Sequence, residues 1–335
     1  MGVDFTVFKG SKTGDIVEAT GHRDPRPTEV IVKISHCGVC GTDEHFLHQE
    51  QGLGHEGVGI ITELGSAVNE VSNFKVGDRV GMGWFYKFCG TCKNCLTGHQ
   101  NSCVAPQFFG TANHDQGCFG TSVAWDVSAL FKIPDEIASE DAGPLMCGGA
   151  TVFSPLHTSG VRPGDRVGII GVGGLGHLAI QFASKMGMEA VVFSSSESKK
   201  EEALRFGASE FYTPADLAHP EKIDKVDILL ITSSVLPDLS TYYPVLARRS
   251  QIYPLTVSME PMNVTPMAMI MYGITIVGSG VASAGTQQAM LAFAAKHGIK
   301  PQIEKFPLTK DGVVDAMARL RDGKMRYRGV LVAPQ

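Results

Sequence analysis

The sequence predicts an α/β chain in two parts, a β-rich unit and a doubly wound parallel sheet. Three observations predict it. Up to residue 150 the chain carries short apolar runs separated by turn residues. Beyond that, apolar runs alternate with helical repeats. A glycine-rich turn, "GVGGLG", sits where the first of those later strands meets the first helix. Strand–helix alternation is the mark of a parallel sheet covered by helices, whereas short alternating strands with frequent turns suit antiparallel pairing.

Taken in order, "EVIVKIS", "EGVGIITEL" and "DRVGM" read as strands of the first unit. "DRVGIIG" is a buried strand, followed by a helix through "GLGHLAIQFASKMG" with Leu175, Leu178, Ala179, Phe182, Ala183 and Met186 on one face. "EAVVF" is the next strand and "SESKKEEALRFG" the next helix, closed by Gly207. Ser198 and Glu201 have capping-box spacing, and Ser196 is a second candidate cap. "VDILLIT", "SQIYPLTV" and "GITIVG" continue the sheet. "TQQAMLAFAAKHG" and "KDGVVDAMARLRDG" read as helices and "RGVLV" as a last strand, a tail that periodicity alone assigns to neither unit. The methionine-rich "MEPMNVTPMAMIMYG" is expected to pack in the core and at an interface. "RYR", residues 326–328, is expected to be a solvated surface, with contact to a cofactor phosphate as the alternative.

A chain of 335 residues exceeds one ordinary domain, and 43% hydrophobic with 19% charged residues suits a well-packed globular protein. The net charge of −5 offers no general attraction for nucleic acid or an anionic membrane. No apolar run reaches membrane-spanning length, and the start of the chain lacks the pattern of a secretory leader, so a cytoplasmic protein acting on small molecules is expected. In that setting eight cysteines read as metal ligands rather than disulfides.

"CGTCKNCLTGHQNSC" places Cys89, Cys92, Cys95 and Cys103 on one short loop. Four thiolates can close a tetrahedral shell around zinc, which leaves no place for a substrate and makes the site structural. An iron–sulfur cluster is the rival reading, though the proline that follows the last cysteine of the bacterial run is absent. The reactive chemistry then lies elsewhere. "HCGVCGTDEH", "LGHEGVG" and "GPLMCGGATV" each offer one zinc ligand, Cys40, His55 and Cys147. Two thiolates and one imidazole balance the metal's charge and leave a fourth position open. Taken singly, Cys147 reads equally as a small buried apolar residue and His55 as a loop histidine.

In the glycine loop, Gly171 permits the tight turn, Gly173 lets backbone approach a pyrophosphate, and Gly176 allows close helix–strand packing, with Gly174 and Leu175 between them. The following strand ends in Ser194, Ser195 and Ser196, with Lys199 close behind, where an NAD enzyme places an acid. Hydroxyls and an ammonium suit a 2′-phosphate, so NADP(H) is the expected cofactor.

Together these motifs resemble the zinc-dependent alcohol dehydrogenases of the medium-chain dehydrogenase/reductase superfamily, over nearly the whole chain. "SSSESKKEEALRFGA" is most similar to the cinnamyl-alcohol dehydrogenase branch, whose members favour NADPH. The resemblance implies a GroES-like catalytic domain over residues 1–148 and 285–335, with a Rossmann domain over 149–284. It implies two zinc ions per chain, catalytic on Cys40, His55 and Cys147 and structural on the four-cysteine loop. It gives Thr42 a hydrogen bond to the substrate oxygen, His45 the end of a proton relay, and Asp43 the task of orienting His55. Glu56 stands beside the metal, and Trp84 and Gly280 line the substrate cleft. The implied reaction passes hydride between NADPH and a carbonyl or alcohol carbon, in a homodimer. Reduction of an activated C=C bond or an iminium is the near alternative, and a non-catalytic NADPH-binding protein the distant one.

The chain also departs from the family. The Cys40–His55 connection is short, and Gly41 replaces a side chain that in many relatives reaches cofactor phosphate. Gly280 replaces a bulkier residue, and Cys118 replaces a glycine. The first three suggest an open cleft for a larger or branched carbonyl.

Overall fold

The computed structural model describes residues 2–334, which divide into two compact units. The first comprises the chain through Gly148 and resumes at Ser283; the second is Gly149–Ala282.

The second unit is a six-stranded sheet, β10 (Arg166–Ile170), β11 (Glu189–Phe193), β12 (Glu210–Tyr212), β13 (Val226–Ile231), β14 (Leu246–Pro254) and β15 (Thr275–Ile276). Its order is β12-β11-β10-β13-β14-β15, and every pairing is parallel. β10 and β13 are apolar along nearly their whole length because both faces of a parallel sheet are covered. The helix Gly176–Lys185 buries Leu178, Ala179, Phe182 and Ala183.

In the first unit, β3 (Glu29–Val39), β4 (Gly57–Leu64), β5 (Arg79–Met82) and β9 (Leu130–Lys132) pair antiparallel in sequence, and β8 (Ser122–Asp126) also pairs with β3. The tail supplies β16 (Ile303–Pro307) and β17 (Arg328–Val332), a parallel pair within this largely antiparallel sheet; β17 then runs antiparallel to β3. The helix Lys310–Arg321 makes the crossover that a parallel pair requires, and Thr309 caps it by accepting the Gly312 N–H at 3.2 Å. Two hairpins complete the unit, β1 (Val3–Lys9) with β2 (Val17–Arg23), and β6 (Phe85–Lys87) with β7 (Gln107–Phe108).

Three local expectations give way. The helix after β11 begins at Lys200 behind a short 3-10 turn, and neither Ser196 nor Ser198 caps it; their hydroxyls bond each other at 2.9 Å. The methionine-rich stretch is core only in part: Met262 and Val264 pack against the apolar cluster of the second unit, but Met259 is 96% exposed, and Met267, Ile270 and Met271 are also exposed, because the helix Pro266–Tyr272 buries no residue in this chain. The "RYR" segment is not a solvated surface, since Tyr327 and Arg328 are buried where β17 enters the sheet. Among the described residues no helix is long and apolar enough to cross a membrane.

Candidate active site

β3 ends at Val39, and the chain turns through Cys40 into a single helical turn, Gly41–Glu44. Asp43 lies on the buried side of that turn. One carboxylate oxygen accepts the Cys40 N–H at 3.1 Å; the other accepts the Gly54 N–H at 3.0 Å and lies 3.1 Å from His55 Nδ1. One side chain thereby ties both ends of the short Cys40–His55 connection. A carboxylate accepts, so Asp43 fixes a proton on Nδ1 and turns Nε2 toward the cluster. Nε2 is buried and has no hydrogen-bond partner.

Cys147 arrives from a different part of the chain, on a π-helical turn, Leu145–Gly149, between two helices. Cys40, His55, Glu56 and Cys147 bring one donor atom each within 4.8 Å of one another. The protons of this cluster are displaced from their ordinary equilibria. A hydrogen bond with Cys147 holds the Cys40 thiol well down, and the same bond, with burial, holds Cys147 well up. Burial pulls His55 down, but Asp43 and Cys40 outweigh it and leave the imidazole well above its usual value. Two soft sulfurs, an imidazole whose buried Nε2 has no hydrogen-bond partner and a nearby carboxylate fit a zinc ion, which on binding would displace the proton that the raised imidazole holds and supply the missing partner for Nε2.

Glu56 is fully buried. One of its oxygens pairs with Arg328 Nη2 and the other has no partner. Burial pushes its carboxyl up to about 7, against the opposing pull of Arg328. A Cβ on Gly38 would lie 2.0 Å from that second oxygen, so glycine on β3 leaves the space the carboxylate fills. Sequence reasoning missed Arg328. The available signal was an arginine opening an otherwise apolar strand, which asks for a buried partner.

Thr42 Oγ1 is 3.5 Å from Cys40 Sγ, and His45 is exposed at the end of the same turn. Trp84 stands edge-on to His55, ring centroids 5.7 Å apart, and stacks on Phe108 at 5.5 Å. Phe109 lies 4.8 Å from His55 and 4.9 Å from Phe46. Half-buried Trp84 and Phe46 thus form an apolar flank beside the imidazole. Cys118, unexplained by the sequence, has its sulfur 2.6 Å from where a Gly57 Cβ would lie, filling the gap that glycine leaves. Burial, then a hydrogen bond with Cys118, pushes the Cys37 thiol well up, so it stays protonated and inert.

The four-cysteine loop forms a second cluster, with donors likewise within 4.8 Å. Backbone N–H groups point at its sulfurs: Cys92 to Cys89 at 3.4 Å, Cys95 to Cys92 at 3.5 Å, and Cys89 to Cys103 at 3.4 Å. N–H groups of Thr91 and Cys92 hold the Cys89 thiol down to about 6, while burial pushes Cys95 up to about 12. Four clustered sulfurs, three of them met by these amide donors, suit a closed zinc shell.

In the second unit, Gly171 takes φ +92°, and a Cβ on Gly176 would lie 1.9 Å from the Gly171 carbonyl oxygen, which excludes any side chain there. A Cβ on Gly173 would meet nothing within 4 Å, leaving the approach to the helix N-terminus open; Gly174 and Leu175 complete the loop. Ser194 follows β11 directly, Ser195 and Ser196 are exposed, and Lys199 Nζ donates to the Val172 carbonyl at 2.7 Å. The structure therefore joins the serine–lysine segment to the glycine loop. Gly280 also lies in this unit, with nothing within 4 Å of a would-be Cβ.

Comparison with known proteins gives two family matches. Residues 26–135 match the alcohol dehydrogenase GroES-like domain and residues 174–296 the zinc-binding dehydrogenase domain. The chain is 37% identical to aldehyde reductase AdhA of Synechocystis sp. over 314 residues, covering 90% of each protein. It is 35% identical to NADP-dependent alcohol dehydrogenase C 1 of Mycolicibacterium smegmatis, covering 91% of this chain and 90% of that one. A cinnamyl alcohol dehydrogenase from Sorghum bicolor superposes with a TM-score of 0.91 at 31% identity, over 98% of each chain.

Proposed function

Because the chain belongs to the alcohol dehydrogenase family built from a GroES-like domain and a zinc-binding dehydrogenase domain, we propose that it reduces a carbonyl compound with NADPH at a zinc ion held by Cys40, His55 and Cys147. The observation that carries this reading is the His55 ring, held at Nδ1 by Asp43, with Nε2 buried and unpartnered among two sulfurs and a carboxylate. A second zinc on Cys89, Cys92, Cys95 and Cys103 keeps the loop in shape.

Bound zinc supplies a Lewis acid for the substrate oxygen, and bound NADPH supplies the hydride. The chain's own residues do the rest. Asp43 fixes the His55 tautomer and the spacing of the ligands. Thr42, two residues after Cys40, donates its hydroxyl hydrogen to the substrate oxygen. His45, exposed on the same turn, replaces that proton from solvent. Arg328 holds one oxygen of Glu56 beside the candidate ligands and opposes the upward push of burial on its carboxyl. Trp84 and its aromatic neighbours flank the substrate and keep bulk water away, and Gly280 leaves room for a wide substituent. Ser194, Ser195, Ser196 and Lys199 receive the 2′-phosphate of NADPH, a preference supported by the NADP-dependent relative. The chain works as a cytoplasmic homodimer joined at β15, an edge strand with an exposed apolar helix before it.

The test is to incubate the zinc-loaded protein with NADPH and cinnamaldehyde and identify the product by mass and NMR. Cinnamyl alcohol is expected. A saturated aldehyde would mean C=C reduction and remove the roles given to zinc, Thr42 and His45.

A further inference from the structure

We infer that Arg321 is a positioning residue for this reaction, holding through Glu44 the turn that carries Thr42 and His45. The inference rests on the carbonyl-reductase reading for its kinetic part and on geometry alone for its structural part.

The turn Gly41–Glu44 is four residues long, too short to hold itself. Its amides form a thin ladder: His45 N–H to the Thr42 carbonyl at 3.2 Å, Phe46 to Asp43 at 3.1 Å and Leu47 to Glu44 at 3.3 Å. The buried side is anchored by Asp43, as described. The outer side is anchored by the next residue. Arg321 Nε donates to one Glu44 oxygen at 3.0 Å and Nη2 to the other at 3.3 Å, a two-pronged contact that fixes orientation as well as distance. Thr42 and His45 flank these two anchors, so loosening either anchor moves both reacting side chains.

Arg321 is itself well founded. It closes the last turn of Lys310–Arg321, where a cation is favoured by the helix carbonyls. Arg319, on the same helix, pairs with Glu304 on β16. β16 pairs with β17, and β17 with β3, the strand that delivers Cys40. A closed mechanical circuit therefore runs from β3 through the turn and the C-terminal helix back to β3. The side chain of Glu44 is 22% exposed and that of Arg321 57%, so the pair's strength is that of a partly screened surface contact, a factor of about three.

The experiment compares the zinc-loaded wild type with Arg321→Ala, Glu44→Ala, the double variant and Arg321→Lys. Hydrogen–deuterium exchange of the peptide covering residues 41–48 is followed beside kcat and KM for cinnamaldehyde and NADPH. Each single alanine variant is expected to speed exchange in that peptide about three-fold and to lower kcat by a similar factor, with KM and Tm unchanged. The double variant should match the singles, and Arg321→Lys should recover part of the loss. Exchange unchanged in the singles, or effects that add in the double, would overturn the inference. If the wild type turns over no carbonyl, the functional reading fails, and the exchange data alone decide the positioning role.

Discussion

Glu56 and Arg328 stand 272 positions apart in the chain and meet in a buried ion pair beside the candidate metal ligands. Breaking such a pair by removing one partner strands the other charge, at a cost of roughly 3–5 kcal/mol. Arg328→Met is therefore expected to lower the urea midpoint strongly, and Arg328→Lys, which keeps the charge but loses the planar fork, to lower it less. The ligands themselves make a separate test. On the proposed loading of two ions per chain, Cys147→Ser is expected to reduce zinc to one, measured by elemental analysis, and to slow the proposed carbonyl reduction on the order of a thousandfold. The loss of one ion should leave the four-cysteine cluster loaded.

Among the elements, β8 ends in Asp126, which bonds the Thr28 hydroxyl at 2.7 Å, the Ser128 N–H at 3.0 Å and Lys87 Nζ at 2.9 Å. Burial alone would lift this carboxyl, but Lys87, Ser128 and Thr28 outweigh it and hold it below the usual aspartate value. The sign follows from linkage. A depressed carboxylate stabilises the fold fully above the unfolded value of about 3.9, and that stabilisation is lost as pH falls through the lower folded value. Asp126→Asn should thus be less stable at pH 7 and show a flatter acid limb in urea midpoints taken from pH 7 to 3. At the turn after β11, Lys199 touches the Val172 carbonyl of the glycine loop. Lys199→Ala is expected to raise KM for NADPH on the order of tenfold, the loss of one charge-assisted bond, and KM for NADH much less.

At the scale of the molecule, the tail returns to the first unit, and β17 covers one side of β3. A chain ended before Ile303 would lose β16, β17 and the helix between them, strip β3 of its β17 partner over residues 36–39 and leave Glu56 without Arg328. It is expected to aggregate, seen as loss of the monodisperse species on size-exclusion chromatography. Much of this architecture can be read from residue order. Strand–helix alternation, the glycine spacing that leaves no room for a Cβ at Gly176, and the clustered cysteines at 89, 92, 95 and 103 are local patterns, and local patterns follow from short-range geometry. Cys40, His55 and Cys147 could be nominated by type and context, but their approach to within 4.8 Å depends on how β3, Asp43 and a distant π-turn come together. Arg328, Cys118 under Gly57 and the exposed methionines were misread or unread for the same reason. Burial, and the partner a buried charge finds, are set by which distant segments pack together, and nothing within a short window of sequence encodes that choice.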